Sequence, residues 1–360
     1  MNNKEHKFPY EWTLKDAVFT KDKGTVFSCF ACGGGSTMGY KLAGFNVIGC
    51  NEIDPRMNEC YVANHNPKFN YLEPIQDFKL RKDLPKELYN LDILDGSPPC
   101  SSFSMAGNRE EDWGKEKKFR EGQADQVLDT LFFDFIDLAK ELQPKVVVAE
   151  NVKGLLQGNA IKYVRKIYEE FEKAGYYCQH FLLDASKMGV PQKRERVFFV
   201  CLRKDLADPF LYNKDMFTQI PELELNFNEP TITFDKVRDS NNFQNKLSEF
   251  YFNLWDKRIN SDTDFSDING RVRDKPNTGF GTTFAKTGKV CGTLTAKKDC
   301  CCDFEEGRYL SDLEKKRIGT YPLDYNFKNN GPEYLIGMSV PPVMTAQIAS
   351  NIYDQWLSKL

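Results

Sequence analysis

Residues 26–52 read VFSCFACGGGSTMGYKLAGFNVIGCNE, and this stretch decides the fold. Residues 26–30 form an apolar run of strand-like composition that leads towards three consecutive glycines. A short helical segment follows as far as Ala43, and a second apolar run covers residues 45–50. Strand, turn, helix and strand in this order predict a βαβ unit with two parallel strands.

The same alternation continues to about residue 204. Helical spacing of apolar residues predicts helices over 128–142 and 161–171. The fold class is therefore predicted as α/β, with a mostly parallel, Rossmann-like sheet and helices on both faces. Four further apolar runs predict strands, at residues 91–94, 146–149, 177–183 and 197–202.

The alternation stops after residue 204, where Asn, Asp, Thr, Gly and aromatic residues follow with little periodicity. Regular structure returns with helices predicted at 310–318 and 343–357, and the last helix has an apolar face that needs a core to cover it. An insertion within one domain explains this pattern better than two domains in series. The predicted segments are a main domain over 1–204, a smaller inserted domain over 205–304, and a segment over 305–360 that completes the main domain.

Composition narrows the class of protein. With 360 residues, 41% of them hydrophobic and 28% charged, the chain is predicted to be globular rather than disordered. The first ten residues contain no apolar run, and no later stretch is long enough to span a bilayer, so a cytoplasmic protein without a membrane partner is expected. The net charge of -3 means that any affinity for nucleic acid must come from local basic surface.

Eleven cysteines lie along the chain, several of them in apolar segments, which favours reduced thiols over a disulfide framework. Cys29 and Cys32 form a CxxC, and residues 300–302 are all cysteine. A zinc site and a redox pair are alternatives, but only three histidines and no second CxxC accompany them. Buried thiols are the better interpretation, and no metal site is predicted.

Four chemically distinct groups follow predicted strands: the glycines at 33–35, Glu52, Cys100 and Glu150. Ligands bind at the carboxyl ends of strands in open parallel sheets, so these groups are expected to converge. The glycines allow close backbone approach, and Glu52 can accept hydrogen bonds from ribose hydroxyls. The pattern is not GxGxxG and no basic residue stands beside it, which favours a nucleoside cofactor without phosphates over a dinucleotide. A simple tight turn is the alternative.

Cys100 follows two prolines, which fix the backbone and present the thiol at a rigid corner. A lone cysteine is usually structural, and Glu150 with Asn151 could simply be a solvated turn. Together, however, a thiolate and a carboxyl that can hold a proton would form a nucleophile and acid pair.

These motifs resemble those of the cytosine-5 DNA methyltransferases of prokaryotic restriction-modification systems, over nearly the whole chain. The matching segments occur in the order of the family. They are Phe-Ala-Cys-Gly-Gly-Gly at 30–35, Asn-Glu-Ile-Asp at 51–54, Gly-Ser-Pro-Pro-Cys at 96–100, Glu-Asn-Val at 150–152, Gln-Lys-Arg-Glu-Arg at 192–196, residues 308–325, and Gly-Met-Ser-Val-Pro at 337–341.

The resemblance implies S-adenosylmethionine as cofactor, S-adenosylhomocysteine as product, and cytosine carbon 5 as the methylated atom. It assigns 1–204 as the catalytic and cofactor-binding domain and 205–304 as the target-recognition domain. The catalytic residues it implies are Cys100, Glu150, Arg194 and Arg196. The cofactor-binding residues it implies are Phe30, Ala31, Gly33, Gly34, Gly35, Glu52, Ile53, Ile75, Pro99, Leu131 and Ser339.

The chain departs from the family pattern at several positions. Ser28 stands where the family has an acidic residue, and Met338 where it has asparagine. Pro74 occupies the place of an aspartate that touches the adenine amino group, and Asp77 is a candidate substitute.

DNA contacts are expected from two segments. Residues 101–123 are polar, contain lysine, arginine and glycine, and directly follow Cys100, so they are a candidate lid over a flipped base. A basic stripe in the inserted domain is a candidate DNA-facing surface, although a solvated charged face is the usual explanation of such a run. The residues of the stripe are Arg271, Arg273, Lys275, Lys286, Lys289, Lys297 and Lys298. The DNA-binding residues predicted are Ser101, Ser104, Gly107, Arg271, Arg273 and Lys275.

Two other functions remain as alternatives. One branch of the family methylates transfer RNA, but the Cys-Phe-Thr tripeptide of that branch is absent and the inserted region is long. A non-catalytic binding protein on the same fold is the other. The partner expected is double-stranded DNA, a cognate restriction endonuclease is left open, and a monomer is expected.

Overall fold

The computed structural model describes residues 6–99, 116–117, 126–127, 130–215, 219–241, 245–273 and 281–360. The chain divides into two compact units. The sheet unit consists of Val18–Leu183, Glu195–Asn226 and Thr345–Leu360. The second unit consists of Met1–Ala17, Asp184–Arg194 and Phe227–Met344. The bounds of the two units differ from the predicted segments 205–304 and 305–360. The assignment of 205–304 as the target-recognition domain stays a prediction.

Alternating strands and helices form along the chain. The strands are β1 Thr25–Cys29, β2 Asn46–Glu52, β3 Phe69–Leu72, β4 Ile93–Gly96, β5 Glu116–Lys117, β6 Gln126–Val127, β7 Val146–Val152, β8 Tyr176–Asp184, β9 Glu195–Arg203, β10 Leu211–Asn213, β11 Gln219–Pro221, β12 Thr283–Ala285, β13 Cys301–Asp303 and β14 Arg308–Tyr309. The helices are α1 Gly35–Leu42, α2 Pro55–His65, α3 Ile75–Phe78, α4 Leu131–Leu142, α5 Ile161–Lys173, α6 Glu249–Trp255, α7 Phe265–Arg273, α8 Asp312–Ile318, α9 Pro332–Met338 and α10 Pro342–Gln355. In the part of the chain that the structure describes, no helix has the length and apolar character needed to cross a membrane.

The main sheet has seven strands in the order β3-β2-β1-β4-β7-β9-β8. β1 pairs in parallel with both β2 and β4, and the β2–β3 and β4–β7 pairs are also parallel. β9 runs antiparallel to β7. The predicted mostly parallel, Rossmann-like sheet is confirmed. The strand order reverses between β1 and β4, which is where ligands bind in folds of this class.

The two faces of the sheet carry different side chains. Phe27 pairs with Leu94, and Leu94 pairs with Val147, in a row that joins the core with the apolar faces of α4 and α5. Successive residues of a strand point to opposite faces. The next row, Ser28 and Asp95, therefore lies on the other face, which bears Tyr40 of α1.

One predicted strand end is wrong. β7 was expected to end at residue 149, which would leave Glu150 and Asn151 in a turn, but it continues to Val152. The antiparallel partner β9 is the reason, because Glu150 pairs with Phe198 and Val152 pairs with Arg196. Backbone pairing with β9 therefore holds the last residues of β7 in the sheet.

A separate apolar cluster lies in the second unit, where α6 and α7 pack on the β12–β14 sheet. Its buried residues are Leu247, Leu254, Phe265, Ile268, Phe284, Cys302 and Phe304. Beside this cluster, Arg308 is buried with Asp303 and Glu314 and bridges both carboxylates, at 3.3 and 2.8 Å. This part of the second unit therefore has an apolar core of its own.

Candidate active site

The turn after β1 needs glycine at one position. Gly34 has φ of 81°, in the left-handed region, and its N–H bonds the carbonyl oxygen of Ala31 at 2.8 Å. A Cβ atom at Gly34 would collide with the ring of His65 at the end of α2. Phe30 and Cys32 also have positive φ, 53° and 47°. At this turn, backbone without a side chain at Gly34 therefore lies at the carboxyl end of β1.

Glu52 ends β2 and is 7% exposed. Its Oε2 accepts the N–H of Cys32 at 2.6 Å, while Oε1 accepts the N–H groups of Ile53 and Asp54 at 2.9 and 2.8 Å. Burial raises the pKa of this carboxyl, and the backbone bonds oppose the shift. Glu52 therefore ties the end of β2 to the glycine turn, and Oε2 keeps a lone pair for a further hydroxyl donor.

Other predicted cofactor residues lie around this turn or under it. Phe30 packs against Phe135 with ring centroids 6.3 Å apart, and Pro99 is half-buried. Three further predicted residues, Ala31, Ile75 and Leu131, are buried, the last two in the core beneath the strand ends. Their predicted contacts with a cofactor stay predictions.

Ser339 lies in the second unit, at the end of α9. It is 6% exposed, and its hydroxyl accepts a hydrogen bond of 2.6 Å from the hydroxyl of Tyr321. Its predicted contact with a cofactor stays a prediction.

The structure brings two predicted catalytic residues together. Nε of Arg196 on β9 lies 3.0 Å from Oε1 of Glu150 on β7, and the two side chains are 16% and 13% exposed. A second guanidinium nitrogen donates to the carbonyl oxygen of Glu195 at 2.8 Å, which fixes the arginine. A partly buried, oriented carboxyl beside an oriented guanidinium is suited to bind a polar planar group edge-on.

Asn151 joins this pair to the segment before Cys100. The side chain is 4% exposed, and its Nδ2 donates to the carbonyl oxygen of Pro98 at 3.1 Å. Its Oδ1 accepts the N–H of Val152 at 2.9 Å, which fixes the amide orientation. The residue beside Glu150 thus holds the Pro98–Pro99 turn in place. The sequence did not predict this bond. The amide side chain of Asn151, directly after Glu150, was the feature that could have indicated it.

Arg194 lies in the second unit and is 1% exposed. It donates to the carbonyl oxygens of Leu294 and Gly337, at 2.9 and 2.7 Å. Arg194 therefore has a structural role within its own unit, where it connects the Leu294 and Gly337 segments.

Several predicted residues lie outside the described residues. The predicted nucleophile, most of the candidate lid, and one basic residue of the stripe belong to this group. They are Cys100, Ser101, Ser104, Gly107 and Lys275.

The basic stripe divides into residues with different neighbours. Arg271 bridges the buried carboxylate of Asp262 at 2.6 Å and bonds the carbonyl oxygen of Lys257. Lys286 donates to the carbonyl oxygens of Asn260 and Asp262, at 2.7 and 2.6 Å. Both therefore hold the 257–262 segment in place.

Arg273 is exposed, and its guanidinium lies 5.4 Å from the ring centroid of Phe250. Phe250 itself is 52% exposed. Arg273 is therefore the predicted DNA-binding arginine that the structure leaves open to a partner.

A further carboxyl was missed by the sequence reasoning. Asp95 on β4 is 4% exposed and accepts hydrogen bonds from Ser28 Oγ at 2.8 Å and Tyr40 OH at 3.2 Å. Burial raises the pKa of Asp95 to about 7, and the charge of Glu150 adds to the shift. A carboxyl inside the apolar segment Ile93-Leu94-Asp95 was the signal that could have identified it.

Comparisons with known proteins identify the family of the chain. The family model described as C-5 cytosine-specific DNA methylase matches residues 24–354. Type II methyltransferase M1.HphI of Haemophilus parahaemolyticus is 29% identical over 349 residues, which cover 91% of this chain and 86% of that protein. Type II methyltransferase M.FnuDI of Fusobacterium nucleatum is 38% identical over 181 residues, so the match spans 50% of this chain and only 47% of that protein.

A crystal structure of a Spodoptera frugiperda DNMT2 mutant has a TM-score of 0.62 at 17% identity and covers 91% of this chain and 99% of that chain. At this identity the likeness shows the fold alone.

Proposed function

The chain belongs to the C-5 cytosine-specific DNA methylase family and is a DNA cytosine-5-methyltransferase, and from this premise we propose which residues perform the reaction. Cys100 is the nucleophile, Glu150 the proton-holding acid, and Arg196 the residue that orients Glu150 and meets the base. The observation that carries this proposal is the 3.0 Å contact of Glu150 with Arg196 beside the Asn151–Pro98 bond.

The chemistry follows from the weak nucleophilicity of carbon 5 in cytosine. Addition of the Cys100 thiolate to carbon 6 pushes electron density onto carbon 5. A carboxyl proton from Glu150 at ring nitrogen 3 stabilises the electron-rich ring that results. After methylation, loss of the carbon 5 proton, expulsion of the thiolate and return of the nitrogen 3 proton to Glu150 restore the aromatic base, the free Cys100 and the acid.

Glu150 and Arg196 are arranged for this task. The carboxyl can face ring nitrogen 3 and the exocyclic amine of cytosine, while Arg196 donates to the carbonyl oxygen of the same base. Because Arg196 is held by the carbonyl oxygen of Glu195, the pair needs little reorganisation when the base enters. Asn151 keeps the turn before Cys100 at a constant distance from this pair.

The methyl donor is proposed to be S-adenosylmethionine, which supplies an electrophilic methyl group when bound. The residues at the carboxyl ends of β1 and β2 fit an adenosyl compound. The glycine turn allows close backbone approach, and Glu52 has an acceptor position for a ribose hydroxyl. Phe30, Ile53 and Pro99 are proposed to line the site with apolar surface, and Ile75 and Leu131 to support it from the core.

The substrate is DNA, and we propose that it is duplex DNA whose target cytosine is flipped out of the stack. Residues 101–123 are proposed to close over the flipped base. The region 205–304 is proposed to read the surrounding sequence. A restriction endonuclease that recognises the same sequence is the proposed partner, and a monomer acting in the cytoplasm is the proposed working form.

Methyl transfer and adduct formation test the catalytic proposal together. Duplex DNA of mixed sequence and transfer RNA are each incubated with labelled S-adenosylmethionine and the full chain. A duplex with fluorine at cytosine carbon 5 is added as a trap, because fluorine cannot leave as a proton and the thiolate adduct then persists. Cys100→Ser is compared with Cys178→Ser, which changes a half-buried thiol on β8.

We expect label in cytosines of one short DNA sequence, and a covalent adduct with the wild type and Cys178→Ser only. An adduct that persists in Cys100→Ser would refute the assignment of the nucleophile. Label in transfer RNA alone would favour the RNA branch of the family, and no label in either would favour a binding protein.

A further inference from the structure

One face of α2 lies against the glycine turn. Tyr61 and His65 are four residues apart on this helix and both are buried, so their rings lie on the same side. A Cβ atom at Gly34 would collide with Nε2 of His65 and lie 3.1 Å from the Tyr61 ring. The hydroxyl groups of Tyr61 and Thr37, in α1, are hydrogen-bonded at 2.9 Å. α2 therefore supports both the turn and the helix that follows it.

The two ring nitrogens of His65 meet different groups. Nε2 lies 3.4 Å from the carbonyl oxygen of Gly33, in the turn. Nδ1 lies 3.4 Å from Nζ of Lys41, in the last turn of α1. The same Nζ donates to the carbonyl oxygen of His65 at 3.4 Å. The ring therefore connects the end of α1 with the glycine turn.

The ammonium group of Lys41 decides which nitrogen of His65 carries the proton. An ammonium group has only donors, so Nδ1 must accept, and the proton of the neutral ring lies on Nε2. Burial lowers the pKa of Lys41 to about 8, so this group is still charged at neutral pH. Burial, together with the charge of Lys41, lowers the pKa of His65 well below its usual value and keeps the ring neutral. The Nε2–H group is then a donor to the carbonyl oxygen of Gly33.

We propose that His65 is a positioning residue for binding of the methyl donor, which fixes the carbonyl oxygen of Gly33 and the backbone of Gly34 through its Nε2–H tautomer. This inference rests on the proposed role of the glycine turn and Glu52 in holding the donor. His65 acts through the backbone, because its ring fills the space beside Gly34 and its nitrogens meet Gly33 and Lys41. A turn that is held in one conformation loses less entropy when a ligand binds, which raises the affinity.

Nitrogen NMR of the full chain with isotope-labelled histidine, at neutral pH, tests the tautomer. The chain has only three histidines, and the His65→Gln variant identifies the signals of His65. We expect a proton on Nε2 and none on Nδ1. A proton on Nδ1, alone or together with one on Nε2, would overturn the inference, because Lys41 would then not set the tautomer. This result is obtained on the wild type, so it stands even if a variant fails to fold.

Donor binding is tested with His65→Phe, which keeps a ring but has no nitrogen, and with His65→Gln, whose amide can replace the Nε2–H donor. We expect His65→Phe to raise the KM for S-adenosylmethionine and the Kd for S-adenosylhomocysteine about tenfold, while kcat stays within about twofold. His65→Gln should recover most of the affinity. His180→Phe is the matched control and should change neither constant. Nδ1 of His180 lies 2.6 Å from the hydroxyl of Tyr168, but on the edge strand β8.

The outcomes separate this inference from the proposed function. A lower kcat with unchanged KM in His65→Phe would mean a smaller folded fraction, hence a structural role only, and would overturn the inference. An equal loss of affinity in His180→Phe, or no recovery in His65→Gln, would do the same. Glu52→Ala is measured beside these variants. If Glu52→Ala loses affinity for S-adenosylhomocysteine while His65→Phe keeps it, the His65 inference alone fails; if neither loses affinity, the proposed donor site fails and the inference with it.

Discussion

The side-chain amide of Asn151 donates a hydrogen bond to the carbonyl oxygen of Pro98, 3.1 Å away, and so connects β7 to the turn before Cys100. Asn151→Ala leaves that oxygen without this donor and frees the turn. We expect the single-turnover rate to fall roughly 10- to 100-fold, because small misplacements of reacting groups are costly. Affinity for S-adenosylhomocysteine should change little.

Asn58→Ala is the matched control for this prediction. Asn58 is buried in the same unit and exchanges amide hydrogen bonds with Asn70 at 2.6 and 3.0 Å, away from Pro98. If Asn58→Ala slows methyl transfer as much as Asn151→Ala does at equal thermal stability, the bond to Pro98 has no specific role in catalysis.

Arg196 should matter more than an ordinary surface cation. Arg196→Ala removes the partner of Glu150 and the proposed donor to the base, and we expect kcat to fall about 100- to 1,000-fold, as for loss of one preorganised donor. Arg196→Lys should recover part of the rate because the charge remains. Lys153→Ala is the control, since it removes an exposed pair with Glu195 and should leave kcat within about twofold. A loss below threefold in Arg196→Ala would contradict the assigned role.

The alternation of strands and helices was predictable because each element carries its own apolar period. The positions of Glu52 at the end of β2 and of Glu150 near the end of β7 followed from the same pattern, although β7 continues two residues beyond Glu150. The contact of Glu150 with Arg196 was not accessible in this way, because it depends on the register of β7 and β9, which is set by tertiary pairing. Asp95 was missed for a related reason, since its hydrogen-bond donors come from β1 and α1.

The glycine turn offers a test of shape at one atom. Gly34→Ala puts a methyl group at positive φ and against the His65 ring. Gly175→Ala is the matched control, with φ of 92° and nothing within 4 Å of a new Cβ. We expect Gly175→Ala to cost about 1–2 kcal/mol of stability from the backbone alone. Gly34→Ala should cost more and should weaken S-adenosylhomocysteine binding at least tenfold, as measured by calorimetry. If the two variants lose the same stability and bind S-adenosylhomocysteine equally well, the His65 ring moves aside and the predicted collision has no effect.

Asp95 should also give the folded protein a dependence on pH. Burial raises its pKa from 3.8 to about 7, so between these values the native chain binds a proton that the unfolded chain does not hold. The free energy of unfolding therefore falls as the pH rises through this window, and Asp95→Asn removes the effect. We expect the stability of Asp95→Asn relative to the wild type to increase by about 2 kcal/mol between pH 5 and pH 7. Thermal melting of both proteins at several pH values measures this, and a constant difference would contradict it.

Arg271 and Arg273 should respond differently to the same substitution. Arg271 pairs with Asp262, whose side chain is only 5% exposed, so Arg271→Ala leaves a poorly solvated carboxylate and should lower the melting temperature. Arg273 is exposed and lies over Phe250, so Arg273→Ala should leave the melting temperature almost unchanged.

If Arg273 meets a DNA phosphate, its loss should weaken binding to all duplexes alike and reduce the slope of log affinity against log salt by about one. Titration of labelled duplex at several salt concentrations measures that slope. An unchanged slope in Arg273→Ala would remove this arginine from the DNA-facing surface, and a reduced slope in Arg271→Ala without loss of stability would place the contact there instead.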